Sequence, residues 1–252
     1  MAKEKIYFAA DLHLGSDVLE DPKTTEKRFV RWLDTIRDEA GAVYLLGDIF
    51  DFWFEYKKTV PRGFTRFLGK IAEMQDAGTE VHFFTGNHDV WMFDYFQREL
   101  GVTVHTKPLQ TMINGKVFYL THGDGLGDSS RSFHLIRSIF HSRICQFLFA
   151  RFPSRWGIGF AHWWSRQSKH RDVAYSVEYK GEEKEHLVLY SKKYIQEHPD
   201  TDYLIFGHRH ILLNLMLNQK TRMMIVGDWM RHFSYAVFDG NELRLEQYHA
   251  EL

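Results

Sequence analysis

The sequence predicts an α/β fold, on three observations. Short, wholly apolar runs recur along the chain, apolar residues at helical spacing separate them, and the runs end on polar residues beside glycine. The runs at 6–10, 42–46, 81–85, 117–121 and 203–206 have the length and continuity of buried strands. Between the first two, Phe29, Trp32, Leu33 and Ile36 recur at helical spacing, and Phe64, Phe67, Leu68 and Ile71 do so between the second and third. This alternation predicts strands covered by helices on both faces. Toward the end of the chain, 223–226, 235–238 and 243–248 read as strands close in sequence, with Asp239-Gly240-Asn241 as a turn, so antiparallel pairing is expected there.

The totals bound the function. With 252 residues, 44% of them hydrophobic, the chain can build one large domain or a domain carrying an insertion. A formal net charge of −1 argues against a globally basic nucleic-acid binder, and no stable nucleic-acid partner is expected. Cys145 is the single cysteine, which rules out an intrachain disulfide framework and fits a reducing compartment. The first residues hold no apolar stretch long enough for a signal peptide, and no run of about 18 apolar residues predicts a transmembrane helix. A cytoplasmic location is the expectation.

The residues just after each predicted strand form the most informative pattern. In order these are Asp11-Leu12-His13, Gly47-Asp48, Gly86-Asn87-His88-Asp89, His122-Gly123-Asp124 and Gly207-His208-Arg209-His210. One Asp-x-His after a strand is most simply a surface feature. Five successive strand ends bearing metal-capable groups are not, because the carboxyl ends of strands form the ligand crevice in open α/β folds. Glycine there lets the backbone approach a bound group.

This ordered set, D-x-H, G-D, G-N-H-D, H-G-D and G-H-x-H over residues 11–210, resembles the calcineurin-like metallophosphoesterases. The resemblance implies a two-layer β sandwich flanked by helices, with two metal ions at the strand ends. It implies that Asp11, His13, Asp48 and His210 hold one ion and that Asp48, Asn87, His122 and His208 hold the other, Asp48 bridging. Two divalent ions about 3.5–4 Å apart can clamp the attacking and leaving oxygens of a phosphoryl centre. Mixed imidazole and carboxylate donors suit Mn, Fe or Zn, with Mn²⁺ the first expectation. The resemblance further gives His88 a place on the substrate phosphate or leaving group, with Asp89 expected to orient it. Asn87 and His208 are expected to border the substrate as well.

The remaining histidines read more plainly. His82 lies within a strand pattern, and His105, His186, His198 and His249 sit in polar surroundings and read as solvated. His232 follows Gly227-Asp228-Trp229, another strand end, which places it as a neighbour of the site. Residues 180–186 read as a solvated helix start.

Residues 131–171 contain eight Arg or Lys, no Asp or Glu, and nine Phe or Trp. Phe133, Ile136, Phe140, Ile144 and Phe147 repeat at three or four residues, so an amphipathic helix is expected, broken by Pro153, Gly157 and Gly159. The plain reading is a helix pair packed on the core. A stretch so basic and aromatic also suits an anionic amphiphile, rings against acyl chains and arginines against phosphates or headgroups. Stacked single-stranded nucleic acid is a further alternative.

Within the family, the layout resembles the branch of UDP-2,3-diacylglucosamine diphosphatases of lipid A synthesis, in length, in the G-D-I-F-D-F-W block at 47–53 and in a basic helical cap after H-G-D. The resemblance implies one domain over 1–252 with an inserted cap at 131–178. It also implies a lipid-linked nucleotide substrate and a peripheral place on the inner face of the membrane. Ser168, Lys169 and Asp172 become candidate substrate contacts. Asp172 stands where that branch has Asn, Tyr175 where it has Lys, and His88 where it has Arg. Those departures leave open a metallophosphoesterase acting on another nucleotide, nucleic-acid or phosphoprotein substrate, and a scaffold without catalysis.

Overall fold

Two sheets account for the strands of the computed structural model, which describes residues 3–18, 20–127, 138–140, 142–151, 159 and 178–249. The first sheet has the order β11 (Leu243–Gln247), β10 (Ser234–Phe238), β1 (Lys5–Ala9), β2 (Ala40–Leu46), β3 (Glu80–Phe84), β4 (Thr103–His105). The second has the order β5 (Leu109–Ile113), β6 (Lys116–Thr121), β7 (Tyr203–Phe206), β9 (Arg222–Val226), β8 (Leu212–Met216). Strands β1 to β4 are parallel, as are β6, β7 and β9; β10, β11, β5 and β8 pair antiparallel at the margins.

Period-two alternation explains how these strands are buried on both faces. In β1, Phe8 points into the space between the sheets and Tyr7 and Ala9 point outward. In β2, Tyr44 and Leu46 face inward, Val43 and Leu45 outward. The second sheet answers with Phe118, Leu120, Ile205, Met224 and Val226, so aromatic and aliphatic side chains fill the inter-sheet core together. Phe8 stacks at 5.3 Å on Tyr44 of its own sheet and at 5.8 Å on Phe118 across that interface.

The outer faces take the helices. Helix α1 (Pro22–Ile36) buries the predicted Phe29, Trp32, Leu33 and Ile36, and α2 (Thr65–Asp76) buries Phe67, Ile71 and Met74 on the first sheet. Helix α3 (Tyr95–Leu100) adds Phe96 to the same layer, and α4 (Arg143–Arg151) lies in the basic stretch. Helix α5 (His186–Glu197) lays Leu187 and Val188 on Tyr119, Leu204 and Phe206 of the second sheet. The helices therefore flank a pair of sheets, the two-layer sandwich that the motif order implied, where periodicity alone predicted only strands covered by helices on both faces. An apolar run says that both faces are buried, not what buries them.

Two further expectations are adjusted. His105 is not solvated: its ring stacks at 4.6 Å on Phe84 and lies 3.1 Å from His82 Nδ1 through Nε2. The candidate contacts Ser168, Lys169 and Asp172 lie outside the described residues, as does most of 131–178.

Candidate functional site

The carboxyl ends of β1, β2, β3, β6, β7 and β9 meet at one edge of the sandwich. Backbone hydrogen bonds tie their exits together: Asp11 N–H donates to the Gly47 carbonyl, His13 N–H to the Asp48 carbonyl and Gly207 N–H to the His122 carbonyl. The polar residues at these exits are buried almost completely, Asp11, His13, Asp48, Asp89, His122 and Asp228 among them. Burial of so many ionisable groups is costly unless each is paired or holds a cation.

The two central carboxylates are built alike. Asp11 Oδ2 accepts from His208 N–H at 2.7 Å, and Asp48 Oδ1 accepts from His88 N–H at 2.8 Å. Each then turns its other oxygen toward histidines. Asp11 Oδ1 lies 3.5 Å from His210 Nε2 and 3.9 Å from His13 Nε2. Asp48 Oδ2 lies 3.7 Å from His13 Nε2 and 3.4 Å from His122 Nε2, so it stands between the two predicted donor sets. These approaches require glycine behind the carboxylates: a Cβ on Gly86 would collide with Asp48 Oδ1, and one on Gly207 would come within 2.8 Å of Asp11 Oδ2.

Ring orientation is fixed from outside. His122 Nδ1 is 2.8 Å from the Leu46 carbonyl, which can only accept, so Nδ1 carries the hydrogen and Nε2 of the neutral ring a lone pair. That lone pair faces Asp48 Oδ2 and, at 3.2 Å, Asn87 Oδ1. Three acceptors converging in a buried site call for a cation. Asp11 Oδ1 makes the same demand, being buried with no hydrogen bond. His210 is held likewise, its Nδ1 3.5 Å from Asp228 Oδ2 and its Nε2 toward Asp11.

The electrostatics make the same demand for positive charge, expressed here as a proton held on the His122 ring in place of the lone pair of its neutral form. Burial lowers the pKa of His122, yet Asp48, Asp11 and Asp124 outweigh it and raise the imidazole well above its usual value. Burial raises Asp48, but His122, His88 and His13 bring it well below the usual carboxylate range. Asp11, chiefly through burial, is pushed up to about 6. His208 goes well below, through burial and the neighbouring His122, and stays neutral as a donor must.

Three clusters of metal-capable atoms lie within 4.8 Å of one another: Asp11, His13 and His210; Asp11, Asp48 and His122; and His13, Asp51 and His88. The first two overlap the predicted sets in part, Asp11, His13 and His210 with one and Asp48 and His122 with the other, and Asp11 is close to both. His208 joins through its ring, 5.1 Å from that of His122. The residues present therefore fit a pair of divalent cations.

His88 lies beside His13, with ring centroids 4.8 Å apart, and its Nδ1 is 3.0 Å from the Asp51 carbonyl. The expectation that Asp89 orients His88 is corrected here. Asp89 Oδ2 accepts from Ile49 and Phe50 N–H and its Oδ1 from Gly86 N–H, so this carboxylate holds the exit of β2 against that of β3. Asp89 immediately follows His88, and its burial put it under the loop instead of beside the ring. Two residues were missed as site groups: Asp51, and Asp228, whose Oδ1 accepts from the N–H groups of residues 230–232 while Oδ2 serves His210 and His232. The only signal for Asp228 was another Gly-Asp after a buried strand.

On the His88 side, Phe52, Phe54 and Trp91 form an aromatic cluster. Trp91 Nε1 donates to the Phe140 carbonyl at 2.7 Å, and Phe149 of α4 packs on Trp91 at 4.9 Å and Phe54 at 4.8 Å. The described part of the basic segment thus docks next to the strand ends.

The model of the calcineurin-like phosphoesterase family matches residues 4–212. A protein of Porphyromonas gingivalis named UDP-2,3-diacylglucosamine hydrolase is 45% identical, covering 97% of this chain and 97% of that protein. Another of that name from Edwardsiella ictaluri is 26% identical over 94% of this chain and 90% of its own length. Among solved structures, a dimetal phosphatase from Danio rerio aligns with a TM-score of 0.46 at 15% identity, covering 97% of this chain and 99% of that one.

Proposed function

The chain belongs to the calcineurin-like phosphoesterase family, and from that premise we propose that it hydrolyses the pyrophosphate of UDP-2,3-diacylglucosamine to UMP and 2,3-diacylglucosamine 1-phosphate, a step of lipid A synthesis. The observation that carries this reading is the 45% identity, over nearly the whole of both chains, to a protein named for that substrate. The buried donor clusters and the aromatic, basic segment docked beside them support it.

We assign Asp11, His13, Asp48 and His210 to one divalent cation and Asp48, Asn87, His122 and His208 to the other. Mn²⁺ is the first choice for such mixed donors, with Fe or Zn next. When bound, such a pair polarises phosphoryl oxygens and lowers the pKa of water. The protein's own groups set the geometry. Asp228 and the Leu46 carbonyl hold the His210 and His122 rings, and Asp89 locks the loops that carry Asp48 and His88. His88 donates Nδ1–H to the Asp51 carbonyl, so Nε2 is left for the substrate; protonated, it donates a hydrogen bond to the departing phosphate. Water adds to the uridine-side phosphorus, the bond from that phosphorus to the bridging oxygen breaks, and the lipid phosphate departs.

The basic segment is assigned to the lipid, with Ser168, Lys169 and Asp172 contacting the sugar phosphate. Helix α4 turns Ile144, Phe147 and Leu148, which are 72%, 56% and 60% exposed, away from the aromatic cluster, between Arg143 and Arg151. That face suits the headgroup region of an anionic bilayer and a peripheral, cytoplasmic attachment. No described helix is long and apolar enough to cross a membrane.

The test is a substrate comparison with purified, Mn²⁺-supplied protein. UDP-2,3-diacylglucosamine should be turned over at least about ten-fold more efficiently than the unacylated UDP sugar, as a lipid contact worth only about 1.4 kcal/mol would provide. Equal use of both, or brisk hydrolysis of other phosphodiesters with no UMP from the acylated compound, would leave the family assignment and remove the lipid one.

A further inference from the structure

A cavity of about 240 Å³ opens on the far side of the strand ends from the aromatic cluster, walled by His208 and Arg209 from the exit of β7 and by Lys180, Lys184 and His186 from the start of α5. Its floor includes Gly123 and Gly125, both with positive φ, so bare backbone faces the space. At about 30 Å³ per water, it has room for about eight waters or a compact polar ligand.

Its charge is unbalanced. Arg209 is taken up by Glu185, a buried residue that accepts from Nε at 2.8 Å and from Nη2 at 3.1 Å. Glu182 is turned to Lys192. Among the described residues, Lys180 and Lys184 make no ion pair, and both are exposed. Two ammonium groups with no carboxylate partner among the described residues thus border a cavity whose wall includes His208. Two lysines would be desolvated at a cost by an acyl chain, whereas a phosphate would satisfy them.

We propose that this cavity is a nucleotide subsite, in which Lys180 and Lys184 receive the phosphate-bearing nucleoside half of the substrate. The identity of that half rests on the pyrophosphate hydrolysis proposed above. The subsite fixes the direction in which the substrate lies: the nucleoside monophosphate occupies the His208 end, and the acylated sugar phosphate occupies the His88 end, on the flank where the basic segment docks over Phe52, Phe54 and Trp91. The nucleotide and the lipid product then leave from different ends of the site.

Calorimetric titration of the metal-supplied protein tests this, with UMP, uridine and 2,3-diacylglucosamine 1-phosphate as probes. The K180A/K184A double variant should bind UMP at least about ten-fold more weakly, the scale of a lost charged hydrogen bond. Its affinity for the lipid phosphate should change less than about two-fold, and K184R should restore much of the UMP affinity. Circular dichroism and the melting temperature confirm folding; if the double variant is not folded, the single K184A and K184E variants replace it. Unchanged UMP affinity overturns the subsite, and equal losses for UMP and the lipid phosphate overturn the direction. If UMP affinity depends on the lysines while UDP-2,3-diacylglucosamine is not hydrolysed, the substrate reading falls and the nucleotide subsite stands. If hydrolysis proceeds and UMP binding ignores the lysines, the subsite alone falls.

Discussion

Asp11, His13, Asp48, His208 and His210 all adopt positive φ, between 45° and 69°. Only Phe64, Asn114 and Phe233 share that state among the other described non-glycine residues, so the strain is concentrated where the donors converge. Such a residue costs of the order of 1–2 kcal/mol and is retained because the left-handed step aims its side chain at the site. This strain predicts a specific stability order. Asp48→Gly and Asp48→Ala both remove the carboxylate and should both abolish turnover, but the glycine variant should be more stable by about 1 kcal/mol in chemical denaturation with chelator present. At an ordinary backbone position alanine would be the more stable, so that order would refute the strain argument. The residues proposed as donors were legible in the sequence, since each sits within four residues of an apolar run. Asp51 and Asp228 were less so: Asp51 falls inside the 47–53 block, and Asp228 showed only a Gly-Asp after a buried strand, with no spacing that ties it to His210. Asp89 was misread for a related reason: adjacency to His88 suggested contact, while burial gave its oxygens to three backbone N–H groups.

Helices α2 and α3 begin without a side-chain cap of their own, and a distant glutamate serves each. Glu26 Oε1 accepts from Arg66 and Phe67 N–H, and Glu55 Oε2 accepts from Phe93, Asp94 and Tyr95 N–H while Oε1 takes Trp53 Nε1–H. Local sequence shows the apolar faces of these helices but not such caps, which exist only once the chain has folded. Glu55→Ala leaves four donors without that acceptor and should cost about 2–3 kcal/mol, measured by urea unfolding, with Glu55→Gln recovering part of it. Strands were legible where both faces are apolar. The edge strands β5 and β8 were missed, since their burial patterns are partial and mixed. At an edge of the first sheet β4 brings His105 against β3. Burial, and then His82, lower its pKa from 6.5 to about 4. The unfolded chain therefore binds a proton between those values that the folded protein refuses, so stability falls as pH drops from 6.5 toward 4. Glu80, 3.6 Å from His82 Nε2, faces the pair and favours charge on His82 only. Denaturation midpoints at pH 7.5 and 5 should fall less for His105→Gln than for the unaltered protein; equal falls would refute the assignment.

At the scale of the whole molecule, one sheet brings Asp11, His13, Asp48, Asn87 and His88, and the other brings His122, His208, His210 and Asp228. Neither sheet holds a complete donor set, so the site exists only when Phe8 and Tyr44 meet Phe118 and Met224 across the interface. The two-layer sandwich was legible through the motif order and the family it resembles, not through the apolar runs. The motif order names the chemistry, whereas the division of parallel strands between two sheets leaves no mark on apolar runs of similar length. The same arrangement gives the site two unlike flanks, aromatic beside His88 and cationic beside His208. A substrate with a lipid at one end of a pyrophosphate and a nucleotide at the other uses both. The most direct measurement is hydrolysis of UDP-2,3-diacylglucosamine in H₂¹⁸O by the Mn²⁺-supplied protein, with both products analysed by mass spectrometry. The account predicts label in UMP and none in 2,3-diacylglucosamine 1-phosphate; label in the lipid phosphate, or no UMP at all, would contradict it.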